Sequence, residues 1–145
     1  MILEVSIVAV CLILGIQSYW DIKYREIPLW MTLGGAAVGI TISVLQQREW
    51  IDLILAFSIG LLVLLLGKMT KQAIGYGDGA LICMMGCYFS IEYLWMVIIC
   101  AVVLAGVLAC ILFVFFKKKK DYSIPFVPFL LLGNVIVLAC GKGIL

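Results

Sequence analysis

Histidine is absent from the 145 residues, and charge is scarce: ten Lys and Arg and eight Asp and Glu make up 12% of the chain. Without histidine there can be no Ser-His-Asp triad and no His-ligated zinc. The net charge of +2 is small and its basic residues are scattered among loops, which argues against nucleic acid as a partner. Polar stretches are short, so no separate soluble domain is expected and residues 1–145 read as a single transmembrane domain. The six cysteines contain no C-x-x-C pair, which removes the zinc-knuckle and redox-motif readings. The glycine-rich stretch at 75–79 lacks the G-K-[ST] ending of a phosphate-binding loop. No long internal repeat is visible.

What remains is apolar. Hydrophobic residues make up 66% of the chain and the mean hydropathy is +1.28. A soluble domain of this size could not hide so much apolar surface from water, whereas a bilayer accommodates it. A spanning helix needs about 20 mostly apolar residues. Apolar runs cover about 2–19, 29–45, 51–67, 78–89, 92–116 and 125–140. They predict an all-α, polytopic membrane bundle of about six transmembrane helices, with membrane lipid as its surroundings. The first run carries Glu4 where a secretory signal has basic residues, and Gln17-Ser18-Tyr19-Trp20 is a poor cleavage site, so it reads as a permanent helix. The fourth run is short for a full span. Charged loops are expected at 20–28, 68–77 and 117–123, with a polar turn at 46–50.

Eight of the ten basic residues fall in the loops after helices one, three and five: Lys23, Arg25, Lys68, Lys71 and Lys117 through Lys120. Arg48 and Lys142 lie on the other side. The positive-inside tendency then predicts that these three loops face the cytoplasm and that both termini face outward. Lys117 to Lys120 read as a stop-transfer and topology signal. Gly35 and Gly39 have the spacing of a close helix contact. Cys11, Cys83, Cys87, Cys100, Cys110 and Cys140 all sit in apolar runs and read as buried small apolar residues.

Most of the eight acids lie at helix ends, where solvation is easy. Glu49 and Asp52 precede helix three and Glu92 precedes helix five, positions suited to the positive end of a helix dipole. Asp52 and Asp121 read as loop or cap residues. Asp21 and Asp78 differ, since each stands at the margin of an apolar helix. An acid in hydrocarbon costs about 2.5–3.5 kcal/mol at a helix centre, less near the interface, and is a functional candidate for that reason. The plain alternatives are an N-cap role for Asp78 and headgroup-level pairing of Asp21 with Lys23 or Arg25. Asp78 closes Gly75-Tyr76-Gly77-Asp78-Gly79. Three glycines there are expected to permit positive φ and the close approach of another chain.

Three patches together resemble the type IV prepilin leader peptidases, a family of GxGD aspartyl proteases. Asp21 followed by Ile27-Pro28 is similar to the family's D-x-x-x-x-x-I-P-N. Gly75-Tyr76-Gly77-Asp78 is the G-x-G-D itself, with Leu81 and Gly86 after it. Ile124-Pro125-Phe126-Val127-Pro128-Phe129-Leu130, with Gly133 following, looks like I-P-F-G-P-F-L. The resemblance covers about 18–134. Leu29 stands where the family commonly has asparagine, Ala80 where many members carry lysine, and Val127 where glycine is usual. No insert resembling the family's extra methylating domain is seen, so the chain looks like the short, peptidase-only form.

The resemblance implies a membrane aspartic endopeptidase with Asp21 and Asp78 as its catalytic pair and no cofactor or metal. Two carboxylates in one site share a proton, one activating water and the other hydrogen-bonding the oxyanion. The implied partner is a pilin-like precursor with a short basic leader, a glycine before the cut and a hydrophobic helix after it. Gly75, Gly77, Glu26, Pro28, Pro125 and Pro128 are the candidate substrate-binding or supporting residues. Glu26 would attract the basic leader, and the two later prolines would shape the entry of helix six. The competing classes are a small transporter or channel subunit using the two acids as cation sites, a non-enzymatic assembly factor, and a protease for other membrane proteins. The acids' place at helix ends disfavours the first.

Overall fold

The computed structural model describes residues 2–69, 75–116 and 125–140. The expected features at Lys71, Lys117 to Lys120, Asp121, Ile124 and Lys142 lie outside the described residues. Six helices follow in order: α1 (Ile2–Tyr24), α2 (Leu29–Leu45), α3 (Trp50–Met69), α4 (Tyr76–Gly86), α5 (Ile91–Phe116) and α6 (Val127–Cys140). No strand occurs among the described residues, and the fold is the expected all-α membrane bundle.

Three helices, α1, α3 and α5, are long and apolar enough to cross a membrane. The apolar helices α2 and α6 are shorter, and α4 has only 11 residues, about 16 Å of rise, too little to span by itself. Burial explains what α4 does instead. Every residue from Leu81 to Phe89 is buried, so this segment is the centre of the protein. A helix that is apolar all round belongs inside. The outward faces of the surrounding helices expose large apolar side chains, with Trp30 76% exposed and Ile51 70% exposed. That pattern fits lipid as the solvent.

Small residues let the helices meet at backbone distance. α4 packs most heavily on α3, where Gly60 faces Cys83 so closely that an added Cβ would collide with its backbone nitrogen. A Cβ at Gly86 would lie 2.8 Å from the carbonyl oxygen of Ala56. Gly35 and Gly39 perform the expected close packing, against Met84 and Tyr88 of the α4 segment. Tyr88 also donates its hydroxyl hydrogen to the Gly35 carbonyl at 2.7 Å. Gly133 brings α6 onto Val97 and Ala101 of α5.

At the α2–α3 turn, Arg48 Nε bonds Asp52 Oδ2 at 2.7 Å and its Nη1 donates to the Gly86 carbonyl at 2.9 Å. Asp52 Oδ1 in turn accepts the Ile91 N–H at 3.1 Å. One ion pair thus ties the turn to the end of α4 and the start of α5. Asp52 is a cap, as expected, but for α5 as well as in the first turn of its own helix.

Two expectations need correction. The charged loop after helix one is not 20–28 but 25–28, because α1 continues through Tyr24. Pairs four residues apart support that last turn: Trp20 stacks on Tyr24 at 4.8 Å, and Lys23 lies over Tyr19. Arg25, at φ 54°, ends the helix. The cysteines are not uniformly buried either. Cys83 and Cys87 are, but Cys110 and Cys140 are exposed, because an apolar residue on the outer face of a membrane bundle meets lipid.

Candidate active site

The extension of α1 places Asp21 inside its last turn, pointing inward, with 8% of its surface exposed. Gln17 lies one turn earlier on the same face and is fully buried. Its side chain exchanges hydrogen bonds with Thr32 of α2, at 3.2 and 3.4 Å. Thr32 sits in α2's first turn, so this pair ties the start of α2 beside the end of α1. Pro28 is the residue before α2, and its carbonyl accepts the N–H groups of Met31 and Thr32. Its fixed φ of −70° starts the helix directly after a four-residue connection.

That connection delivers Ile27 onto α4. A Cβ at Gly77 would lie 2.5 Å from Ile27 Cδ1 and 2.7 Å from Ile27 Cβ. Two of the three sequence patches therefore touch. The glycines act here through contact distance and not through unusual backbone: no glycine among the described residues has positive φ, contrary to expectation. Gly75 is extended at φ −64°, ψ 131° and precedes α4. A Cβ there would lie 3.0 Å from Asp78 Oδ2, and a Cβ at Gly79 would crowd Leu64 of α3. Asp78 is the third residue of α4, so Gly75, not Asp78, occupies the N-cap position.

The third patch joins by its backbone. The Val127 N–H donates to Asp21 Oδ2 at 3.1 Å, across 106 residues of sequence. The Phe126 N–H lies at the same carboxylate. Asp21 therefore caps the first turn of α6 from a different helix. The headgroup-level pairing of Asp21 with Lys23 is not seen; Lys23 donates to the Tyr19 hydroxyl at 3.2 Å and lies over the Tyr19 and Tyr24 rings.

Asp78 feels the charge of Asp21. Its burial, and then the negative charge of Asp21, push its pKa from 3.8 up to about 7. Two acids 57 positions apart (78 minus 21) are thus within electrostatic reach of each other. Such a pair can hold one proton between them near neutral pH. Among the described residues no group of three or more His, Cys, Asp or Glu gathers as metal ligands would.

Of the other candidates, Glu26 is exposed on the connection next to Ile27. Pro125 and Pro128 flank the residues that meet Asp21, with Pro128 in the first turn of α6. Sequence reasoning missed two contributors. The Val127 N–H left no signal, since a backbone donor has no residue type. Gln17 did leave one: a buried amide in an apolar helix, four residues before Asp21.

The fold and site define a helical membrane protein with two acids at helix termini, within electrostatic reach of each other. Residues 8–111 match the type IV leader peptidase family, and the chain belongs to that family. It is accordingly a membrane protease, a hydrolase of the leader-peptidase kind. The matched segment includes Asp21 and Asp78 and ends before α6. No curated protein and no solved structure matches the chain.

Proposed function

We propose that this protease is an aspartic endopeptidase in which Asp21 and Asp78 are the catalytic residues. Its reaction removes the basic leader from type IV prepilin-like precursors at the cytoplasmic face of the membrane. The observation that carries this reading is the convergence of the two acids, with Asp78 raised to about 7 by burial and by the charge of Asp21. At neutral pH one carboxylate then acts as base toward water while the other, still protonated, serves the carbonyl oxygen. No step calls for a cofactor or metal.

The three sequence patches support the same site. Ile27 against Gly77, and Val127 against Asp21, bring all three to one end of the bundle. The positive-inside count supports a cytoplasmic position for that end, with both termini outside. A precursor's hydrophobic helix would stand in the bilayer while its cut site meets the acids at the surface. Glu26, exposed beside Ile27, suits the basic leader.

The test is co-expression with a precursor built from a short basic leader, a glycine and a hydrophobic helix. Leader removal is expected for the unaltered chain. Asp21→Ala and Asp78→Ala should each lower the rate by a factor on the order of 10³ or more. Cleavage that persists in either variant refutes the pair. Labelling that puts residues 26 and 75 on opposite faces of the membrane refutes the site.

A further inference from the structure

We propose that the N-terminus of α6 divides the labour of the two acids: the Val127 backbone N–H holds Asp21 as the ionised base and leaves Asp78 as the proton-bearing partner. The inference rests on the pair being catalytic, and goes beyond it by assigning the proton and by giving a function to the start of α6.

The hydrogen bonds of α6 carry the argument. A helix begins with N–H groups that have no partner inside it. In α6, Phe126 stands before the first turn, and its carbonyl accepts the N–H groups of Phe129 and Leu130 at 3.0 and 3.1 Å. Pro128, second in the helix, has no N–H to offer. Val127 is left as the free donor of the first turn, and it points at Asp21 Oδ2, 3.1 Å away. Proline at position 128 thus removes the next donor along, so within the first turn the Val127 N–H alone serves Asp21, beside the Phe126 N–H that precedes the helix. The positive end of the α6 dipole adds to the same preference for a charged carboxylate.

The groups facing Asp21 can be named by element. From α6 comes the N–H of Val127 and, from just before it, that of Phe126; from α4 comes the charge interaction with Asp78. On α1 itself Lys23 is engaged by Tyr19 and Tyr24, and just after it Arg25 bonds the Asp21 carbonyl with its backbone N–H. Asp78 has no matching backbone donor at its carboxylate among the described residues, and its environment favours the neutral acid.

The reaction then runs in balance. Asp21 takes a proton from water as the water oxygen bonds to the scissile carbonyl carbon. The Asp78 proton passes to the carbonyl oxygen, giving a neutral diol. On collapse, the proton on Asp21 goes to the departing nitrogen as the C–N bond breaks. Asp78 recovers a proton from one hydroxyl. In this scheme Val127 is a positioning residue that acts only through its backbone.

The test removes that donor alone. Val127→Pro suits the first helical position, where proline is tolerated. Replacing residue 127 by its α-hydroxy analogue keeps the side chain and turns the amide into an ester. Val127→Ala keeps the donor and trims the side chain. Cleavage of the precursor described above is followed against pH in reconstituted membranes. In the proline and ester forms the acidic limb of the rate profile should move up by about one pH unit, the size of a lost charge-assisted bond. Val127→Ala should leave that limb in place. An unmoved limb in the folded ester form, an equal move in Val127→Ala, or a folded ester form that cleaves at no pH would overturn the proposal. Failure of the unaltered chain to cleave would instead count against the catalytic reading itself.

Discussion

Replacing Asp78 by asparagine should make the protein more stable, increasingly so as pH rises. In the folded chain the Asp78 carboxyl titrates at about 7, against 3.8 unperturbed, because it is buried and faces the charge of Asp21. Below pH 3.8 the group is protonated whether the chain is folded or not, and it contributes nothing. Between that value and 7 the folded state keeps the proton and the unfolded state loses it, so stability falls as pH rises. Above 7 both states are ionised and the full penalty stands. Moving from 3.8 to about 7 corresponds to about 4 kcal/mol. The asparagine side chain has nearly the same shape and no charge to bury. Melting curves of Asp78→Asn and the unaltered chain in mild detergent should coincide near pH 4, diverge up to pH 7 and run parallel above it. Asp21→Asn removes the smaller of the two causes, so in that variant the decline with pH should persist over a narrower range. Parallel curves across the whole range for Asp78→Asn would refute the claim that this site stores an unfavourable charge.

Other perturbations follow from the packing. Gly60→Ala puts a methyl into the backbone of Cys83, which cannot swing aside, and should cost about 3 kcal/mol by thermal unfolding. Gly15→Ala meets nothing within 4 Å and should stabilise α1 by up to about 1 kcal/mol in the same assay. Gly77→Val should displace Ile27 and abolish cleavage while the protein still accumulates in the membrane; full activity would show that the contact is dispensable. Arg48→Met strands Asp52 and the Gly86 carbonyl, far from the acids, and should cost about 3 kcal/mol without moving the pH profile of cleavage.

Much of this protein can be read along the chain, because lipid leaves a local record. Each apolar run is one helix, and α2 begins and ends where the run does, at Leu29 and Leu45. Asp21 and Asp78 stand out because a carboxylate beside hydrocarbon needs a reason. The spacing of Gly35 and Gly39 announces a close neighbour, since two small residues one turn apart share a face.

What the neighbour is, no local pattern says. Only the tertiary structure puts α4 at the centre, because burial is a property of all six helices together. Only it brings Ile27 against Gly77, and replaces conformational freedom with contact distance as the use of that glycine. The partner of Asp21 lies furthest from view. Its donor is a backbone N–H 106 residues away, freed by a helix start. A main-chain group is chemically the same at every position, so its role arises only where the fold aims it.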